Sequence, residues 1–279
     1  MSKPDDGLTY CAELVREHEP GRYLATLFAP APDRPALFAL YAFDHELTKV
    51  HRIVTEPMAG LIRFQWWRDA LDAISGGKPA PSHPVVHALQ QEWRSIGPSQ
   101  PLLDAAIDTR ERELDEAPLD SKQTFERHLQ ATSAGPILAA LAILSASDPK
   151  THEIGLHAGL AIGLTDLLCE IDQRRERACL LPEDLLSALG MSNAAIQEAS
   201  SPRDLEPLAR GLADDAHHHL RQARQLGGSV SRQALPALLP LALVGGRLKG
   251  LRAMGAKSPG KPQSLAARRL LACWVLGRF

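Results

Sequence analysis

Apolar residues recur through most of the sequence at intervals of three and four positions, the spacing of one face of an α-helix. The clearest early example begins near Asp33, which we expect to cap the helix, with Pro35 in its first turn. Pro57 suits the first turn of the next helix, and Ser75-Gly76-Gly77 ends it. No long run of alternating β-branched residues occurs, so the pattern predicts an all-α fold.

The same periodicity continues through the rest of the sequence. Ser82, followed by Pro84, is expected to begin a helix that ends near Gly97. Further helices are predicted at about 101–116, 121–146, 152–172, 182–189, 193–199, 203–225, 232–253 and 264–278. There is no internal repeat and no long linker, so residues 1–279 are predicted to form one domain.

Charge and hydropathy narrow the classes of function. The formal net charge is −2, so the sequence as a whole lacks the basic character of a nucleic-acid-binding protein. The most apolar stretches, 136–146 and 234–244, are shorter than the roughly 20 residues of a membrane span. The first ten residues do not resemble a secretory signal. We therefore expect a cytoplasmic protein with at most peripheral membrane contact.

Cysteine and histidine residues do not predict a strong metal site. No two cysteines form a C-x-x-C pair, and buried or half-buried free thiols are expected at Cys11, Cys169, Cys179 and Cys273. The side chains of His217-His218-His219 would point about 100° apart on a helix, so a solvated face is favoured over a shared metal.

Three segments in order carry a resemblance to a known family. They are Tyr41-Ala42-Phe43 with the downstream segment 65–71 (QWWRDAL), the segment 82–89 (SHPVVHAL), and 163–168 (GLTDLL) followed by arginines and Leu180-Leu181-Pro182. Together they resemble the squalene/phytoene synthase family over about residues 10–275. The resemblance implies an isoprenoid-synthase bundle of antiparallel helices around a deep central cavity. It also implies head-to-head condensation of two prenyl diphosphates, with Mg²⁺ held by facing carboxylates.

The first acidic motif that the resemblance implies is missing. The positions of the family's Asp-Asp-x-x-Asp are occupied here by Thr48, Lys49, Val50, His51 and Arg52. Asp44 and Glu46 lie one turn earlier, but they are roughly 200° apart on a helix. These two carboxylates therefore cannot form one metal-binding claw with each other.

The second acidic motif is partly kept. Asp166 and Glu170 share a helix face, and they would be the ligands if Mg²⁺ binds; otherwise no metal or cofactor is expected. Asp172 is a further carboxylate candidate, and the motif's second aspartate falls near Arg174. Arg174 and Arg175 resemble the family's basic run, which binds diphosphate.

The charge swap between the motifs suggests a specific hypothesis. Lys49 and Arg52 would lie opposite Asp166 and Glu170, so that cationic side chains stand where Mg²⁺ would stand. The alternative is that all of these are ordinary solvated charges.

Small and aromatic residues suggest a cavity wall at Tyr41, Gly135, Gly159 and Gly163. Gly155, Gly159 and Gly163 recur every four residues on one helix face. They either leave room for an isoprenoid chain or let two helices approach closely, and close approach is preferred. Trp67 is expected to pack in the core.

Two functions follow from the resemblance. The first is a pseudoenzyme that acts in assembly or scaffolding, because a branch of the family that includes a mitochondrial complex I assembly factor departs in a similar way. Its partners would be a respiratory-complex subunit and an isoprenoid or lipid ligand, not nucleic acid. The second is an active Mg²⁺-dependent prenyl transferase of terpenoid biosynthesis, which would make squalene- or phytoene-type products from farnesyl or geranylgeranyl diphosphate.

Overall fold

A computed structural model describes residues 6–54, 56–115, 117–170, 181–254 and 263–279. Sixteen α-helices and no strand occur in these residues. The all-α class predicted from the sequence is therefore confirmed. The helices are α1 Asp6–His18, α2 Pro20–Thr26, α3 Arg34–Ile53, α4 Pro57–Ser75, α5 Pro84–Gln91, α6 Trp93–Ile96, α7 Gln100–Arg112, α8 Lys122–Leu129, α9 Gly135–Ile143, α10 Pro149–Glu170, α11 Glu183–Ala188, α12 Asn193–Glu198, α13 Glu206–Leu226, α14 Leu235–Leu238, α15 Leu241–Met254 and α16 Gln263–Leu276.

The helix boundaries follow local chemistry in most places. Pro57 begins α4, and Gly77 ends the turn after it with a positive φ of 64° that favours glycine. Ser121 caps α8 by accepting a hydrogen bond from the backbone N–H of Thr124. Pro84 is the first residue of α5. Pro57, Pro84 and Ser121 therefore lie at helix starts, as the sequence indicates.

One expectation at a helix start is wrong. Asp33 makes no side-chain cap, because it is the last residue of a 3₁₀ turn that runs directly into α3. Helix α5 begins two residues after Ser82, at Pro84, and its cap is the His83 ring, which accepts a hydrogen bond from the backbone N–H of Val85 at 3.2 Å. Helices α1 and α2 also precede the first helix that the pattern indicates.

The middle of the bundle is built on α3 and α10. Helix α3 buries most of its length, including Leu40, Phe43 and Leu47, and packs against α1 and α5. Helix α10 packs against α13, α9 and α15. Trp67 is also buried, with its ring edge-on to Phe43 at 5.3 Å, so it belongs to the core as expected.

A π-turn at Gln130–Ala134 lies between α8 and α9 and packs against α10. A Cβ added to Gly159 would collide with the backbone of Ala134, and one added to Gly163 would lie 2.5 Å from the Ser133 hydroxyl. A Cβ on Gly155 would lie 2.8 Å from Leu138. The glycine repeat thus allows close helix approach, as preferred from the sequence.

Within the described residues, no helix combines the length and the apolar composition that crossing a membrane requires. Cys11 is buried and Cys169 and Cys273 are half-buried, and all three are free thiols. Cys179 lies outside the described residues.

Candidate functional site

A cavity of about 510 Å³ opens between α2, α3, α10 and α15. Its volume is in the range of small-molecule sites, about 300–1,000 Å³. One part of its wall is apolar, with side chains such as Ile137, Leu167 and Val244. The other part carries charged side chains: Glu19, Arg22, Asp44, Arg52, Arg110, Glu113, Asp166 and Arg247. The cavity can therefore accommodate a ligand with both an apolar and a polar portion.

Asp44 is the centre of the charged wall. It lies on the same face of α3 as Tyr41 and Thr48, three residues before and four residues after it. Arg22 of α2 donates a hydrogen bond to one carboxylate oxygen at 2.7 Å, and Arg110 of α7 donates to the other at 2.7 Å. Only 7% of the Asp44 side chain is exposed, so this is a buried three-charge cluster.

Burial and the two arginines have opposite effects on Asp44. Burial alone would raise its pKa, but the nearby charges of Arg110 and Arg22 outweigh burial and hold the pKa of Asp44 below its usual value. Burial opposes the charge on Arg22, while Glu19 and Asp44 raise its pKa. Asp44 and Arg22 are therefore charged at neutral pH.

Arg110 also ties α7 to neighbouring elements. The same nitrogen that reaches Asp44 donates to the Thr48 hydroxyl at 3.1 Å and to the backbone carbonyl of Thr132 in the π-turn at 3.2 Å. Arg22 lies over the ring of Tyr41, 5.1 Å from its centre, and burial raises the pKa of Tyr41 to about 12. The cluster thus joins α2, α3, α7 and the π-turn.

Asp166 of α10 makes a second and more open ion pair. Arg247 of α15 donates to its carboxylate at 2.5 Å and to the sulfur of Cys169 at 3.3 Å. The Asp166 side chain is 47% exposed, far more than Asp44. The charge of Asp166 raises the pKa of Arg247.

A third carboxylate, Glu113, follows α7 and is held between two histidines. His51 of α3 and His128 of α8 approach its two oxygens at 3.2 and 3.1 Å. The same nitrogen of His51 lies 2.9 Å from the carbonyl of Arg110. His51, which stands at one of the positions of the missing first motif, thus connects α3 to the end of α7.

The predicted first-motif residues have different surroundings. The Thr48 hydroxyl donates a hydrogen bond to the Asp44 carbonyl at 3.0 Å and accepts one from Arg110. Both Thr48 and Arg52 line the cavity. Lys49 instead binds Glu46 of its own helix at 3.3 Å. Arg247, which the hypothesis did not name, pairs with Asp166. Because nothing is described of the Glu170 side chain, the part of the hypothesis that concerns Glu170 stays a prediction.

Of the four predicted cavity residues, two line the cavity and two lie elsewhere. Tyr41 and Gly163 line the cavity. Gly159 lies instead against Ala134, in the contact between α10 and the π-turn, and Gly135 is buried near the carbonyls of Gln130 and Leu102. Glu170 ends α10, and nothing is described of its side chain; Asp172, Arg174 and Arg175 lie outside the described residues.

The described carboxylates fit Mg²⁺ poorly. The ion requires several oxygen ligands converging from octahedral directions. Asp44, Asp166 and Glu113 are each already bound by arginine or histidine. Among the residues that the structure describes, no group of three or more His, Cys, Asp or Glu side chains is placed to hold a metal ion.

The histidine tract is only partly a solvated face. His218 is exposed, but His219 is half-buried and its Nδ1 lies 2.9 Å from Nδ1 of His157 on α10. Burial, with a smaller effect of His157, lowers the pKa of His219 to about 4. The close packing of α13 on α10 brings this pair together, and nothing in the local sequence indicates it.

Sequence reasoning missed Arg22, Arg110, Arg247 and Glu113. The three arginines are separated from their carboxylate partners by 22, 66 and 81 positions, so only the tertiary fold brings each pair together. The one usable signal was that Asp44 follows Tyr41 by three residues and therefore shares its face.

Known proteins resemble this chain over most of its length. A profile of the squalene/phytoene synthase family matches residues 15–269. The NADH dehydrogenase (ubiquinone) complex I assembly factor 6 of Bos taurus is 31% identical over 231 residues, which are 82% of this chain and 69% of the relative. The human protein of the same name is 29% identical with the same coverage. A presqualene diphosphate synthase of Rhodopseudomonas palustris is 23% identical over 217 residues, 77% of each chain.

Solved structures show the same architecture. A dehydrosqualene synthase in complex with ligand superposes with a TM-score of 0.80 at 15% identity and covers 96% of both chains. A squalene synthase from Alicyclobacillus acidocaldarius gives 0.73 at 18% identity, covering 91% of this chain and 95% of that one. At these identities the likeness establishes the fold, and it agrees with the all-α bundle around a cavity described above.

Proposed function

The chain belongs to the squalene/phytoene synthase family, and on that premise we propose that it lacks prenyl-transfer activity and serves the assembly of a respiratory complex such as complex I. The observation that supports this proposal most strongly is that carboxylates of the cavity wall are paired with cations. Asp44 is bound by two arginines and Asp166 by one. A carboxylate whose charge is already neutralised by a bound arginine is a weak ligand for Mg²⁺, because binding the metal first requires breaking the ion pair.

The named relatives support the same proposal. Those called complex I assembly factor 6 in cattle and humans are 31% and 29% identical, whereas the presqualene diphosphate synthase is 23% identical. The chain would then work without a metal cofactor. We further propose that it acts in the cytoplasm or at the periphery of a membrane, where a respiratory subunit is its partner.

A direct assay tests the absence of prenyl transfer. Purified protein is incubated with labelled farnesyl diphosphate or geranylgeranyl diphosphate and Mg²⁺, beside a known presqualene diphosphate synthase as positive control. We expect no labelled product above a reaction without protein. Product that disappears in Asp166→Ala and Glu170→Ala variants would establish the enzyme instead.

Assembly is tested in cells from which this protein has been removed. We expect native gels of their membranes to show less assembled complex I, and wild-type protein to restore it. An Asp166→Asn variant should restore it equally, because a scaffold does not need this carboxylate for chemistry. Unchanged complex I in the depleted cells would contradict the assembly role.

The open cavity supports a second, narrower proposal, which is binding of an isoprenoid or other lipid. A filled core would have excluded such a ligand, but about 510 Å³ remain beside apolar side chains. Mass spectrometry of an organic extract from purified protein should detect a bound lipid. Ile162→Trp, which places a bulky ring in the cavity wall, should reduce the bound lipid several-fold, whereas Met58→Trp on the exposed surface should not. Equal lipid in both variants would contradict binding in the cavity.

A further inference from the structure

Charge is distributed very unevenly along this nearly neutral sequence. All 33 aspartate and glutamate residues lie in residues 1–215, and residues 216–279 contain none. Eleven of the 31 lysine and arginine residues fall in that acid-free segment. Such asymmetry is typical of a region that meets an anionic surface, and the overall net charge of −2 conceals it.

Helix α16 presents an apolar face to solvent within this segment. Its inner side carries Leu270, which is fully buried against Ala25 of α2 and Ala242 of α15. Its outer side carries Leu271, Val275 and Leu276, whose exposed fractions lie between 52% and 63%. At 100° per residue these three positions lie within an arc of about 140°. Ala272, also exposed, lies within the same arc.

Arginines surround that apolar face. Arg268 and Arg269 are exposed; by helical position Arg268 lies between Val275 and Leu276, and Arg269 lies about 20° beyond Leu276. Further exposed arginines nearby are Arg224, Arg232 and Arg278. Arg232 lies over the ring of Trp274 at 5.6 Å. Burial and the charge of Arg269 lower the pKa of Arg224, which places these two cations close together.

Most of these arginines have no acidic partner among the described residues. In the part of the chain that the structure describes, none of Arg232, Arg268, Arg269 and Arg278 has an aspartate or glutamate side chain within ion-pair distance. Arg224 donates a hydrogen bond to the backbone oxygen of Phe279 at 3.3 Å. By contrast, the exposed residues Met58 and Ile62 of α4 lie in sequence between an exposed glutamate, Glu56, and an exposed arginine, Arg63. The α4 patch therefore has charges of both signs beside it, whereas the charged residues around the outer face of α16 are arginines.

We propose that the outer face of α16 (Arg268, Arg269, Leu271, Val275 and Leu276) binds the surface of an anionic phospholipid membrane. Helices that lie in a membrane interface combine exposed aliphatic side chains with lysine or arginine on the flanking positions. The aliphatic side chains enter the boundary of the acyl chains while the guanidinium groups bind lipid phosphates. A nucleic acid would satisfy the arginines but leave the three aliphatic side chains exposed to water, so a lipid surface fits better.

The position of α16 connects this surface to the cavity. Ala266, near the beginning of α16, lines the cavity wall beside Arg247 of α15. A chain resting on a bilayer through α16 would therefore hold its cavity next to the lipid. The biological role of this membrane binding rests on the proposed function, because a factor that assembles a membrane complex must reach the membrane.

Vesicle flotation with the full-length protein tests the surface without reference to complex I. We expect binding to vesicles of phosphatidylcholine with about one third phosphatidylglycerol, and little binding to phosphatidylcholine alone. The double variant Arg268→Gln, Arg269→Gln should weaken binding about 25-fold, at about fivefold for each charge. The double variant Leu271→Ser, Val275→Ser should weaken it at least tenfold. Added salt should weaken wild-type binding.

The matched control is the double variant Met58→Ser, Ile62→Ser, which removes equally exposed apolar side chains from the other patch and should bind as wild type. Circular dichroism checks that every variant is folded. Failure to bind anionic vesicles, equal binding to neutral vesicles, or loss of binding in the control and not in the α16 variants would each overturn the proposal. Arginine-dependent binding to a DNA duplex without vesicle binding would also overturn it. A failed assembly test leaves the flotation result unaffected, so the two proposals fail separately.

Discussion

The two aspartates at the cavity wall are both paired with arginine, but their surroundings differ. Asp44 is 7% exposed and binds two arginines, Arg22 and Arg110. Asp166 is 47% exposed and binds one, Arg247. The first pairing has to be kept for folding, because breaking it leaves charges without water. The second costs little to break, because water can replace either partner.

This difference separates the two sides of the cavity by role. On the α3 side, a buried ion cluster with hydrogen bonds to Thr48 and the π-turn holds four elements together. On the α10 side, the Asp166–Arg247 pair can open when a ligand or partner competes for it. We expect the α3 side to contribute much more to stability than the α10 side.

Replacing Asp44 by asparagine should have the largest effect. The substitution removes the charge that Arg22 and Arg110 share. The buried Arg110 loses this carboxylate partner, and Arg22 keeps Glu19 at 3.9 Å. We expect the free energy of unfolding to fall by about 3–5 kcal/mol, measured by urea denaturation. A loss below about 1 kcal/mol would show that water reaches the cluster and that the two sides are alike.

Gly159→Ala should have an intermediate effect, because it displaces the helix that carries Asp166. Its new methyl group would collide with Ala134 of the π-turn. We expect a loss of about 1–3 kcal/mol in the free energy of unfolding. Gly228→Ala is the matched control, since nothing lies within 4 Å of a Cβ there. Equal stability of the two variants would mean that α10 can move without cost.

Asp166→Asn should have a small effect on stability. Its ion pair with Arg247 is partly exposed, so we expect a change of about 0–1 kcal/mol in the same denaturation experiment. The isosteric change matches Asp44→Asn at the other side of the cavity. A loss as large as that of Asp44→Asn would contradict the expected difference in stability between the two sides of the cavity.

The pH dependence of the Asp44 variant sharpens the contrast further and is the smallest effect to measure. The pKa of Asp44 is lower in the folded protein than the ordinary value of about 3.9, so its contribution is present above that pH and is lost as the pH falls. The stability difference between wild type and Asp44→Asn should therefore shrink below about pH 4. A difference that stays constant down to pH 2 would show that the carboxylate is not what the variant removes.

The fold was largely predictable because its signals are local. Apolar residues at helical spacing and Pro57 place α3 and α4 without tertiary information. The prediction missed α1 and α2, where Glu19, Pro20 and Gly21 interrupt the pattern and shorten both helices. Asp33 fails as a cap because a 3₁₀ turn precedes α3, a choice between two hydrogen-bonding patterns that the residue type does not decide.

The site was less predictable because its pairs are distant in sequence. The missing first motif and the retained Asp166 could be identified by position, and Tyr41, a predicted cavity residue, lines the cavity. The partner of Asp166 was not, because Arg247 is 81 positions away on a helix with no matching signal. Lys49 was predicted to lie opposite Asp166, but it forms an i, i+3 ion pair with Glu46 on its own helix.

The double pairing of Asp44 also constrains how this lineage can change. To free Asp44 for a metal, both Arg22 and Arg110 would have to be replaced. Loss of one arginine still leaves Asp44 paired with the other. Loss of the second leaves the carboxylate buried without either arginine, at a cost comparable to a large share of the roughly 5–15 kcal/mol by which domains are stable. The step that frees Asp44 would therefore give a poorly folded protein unless a metal ion took the place of the arginine at once. The two arginines thus make the gain of a metal site at Asp44 by single substitutions difficult.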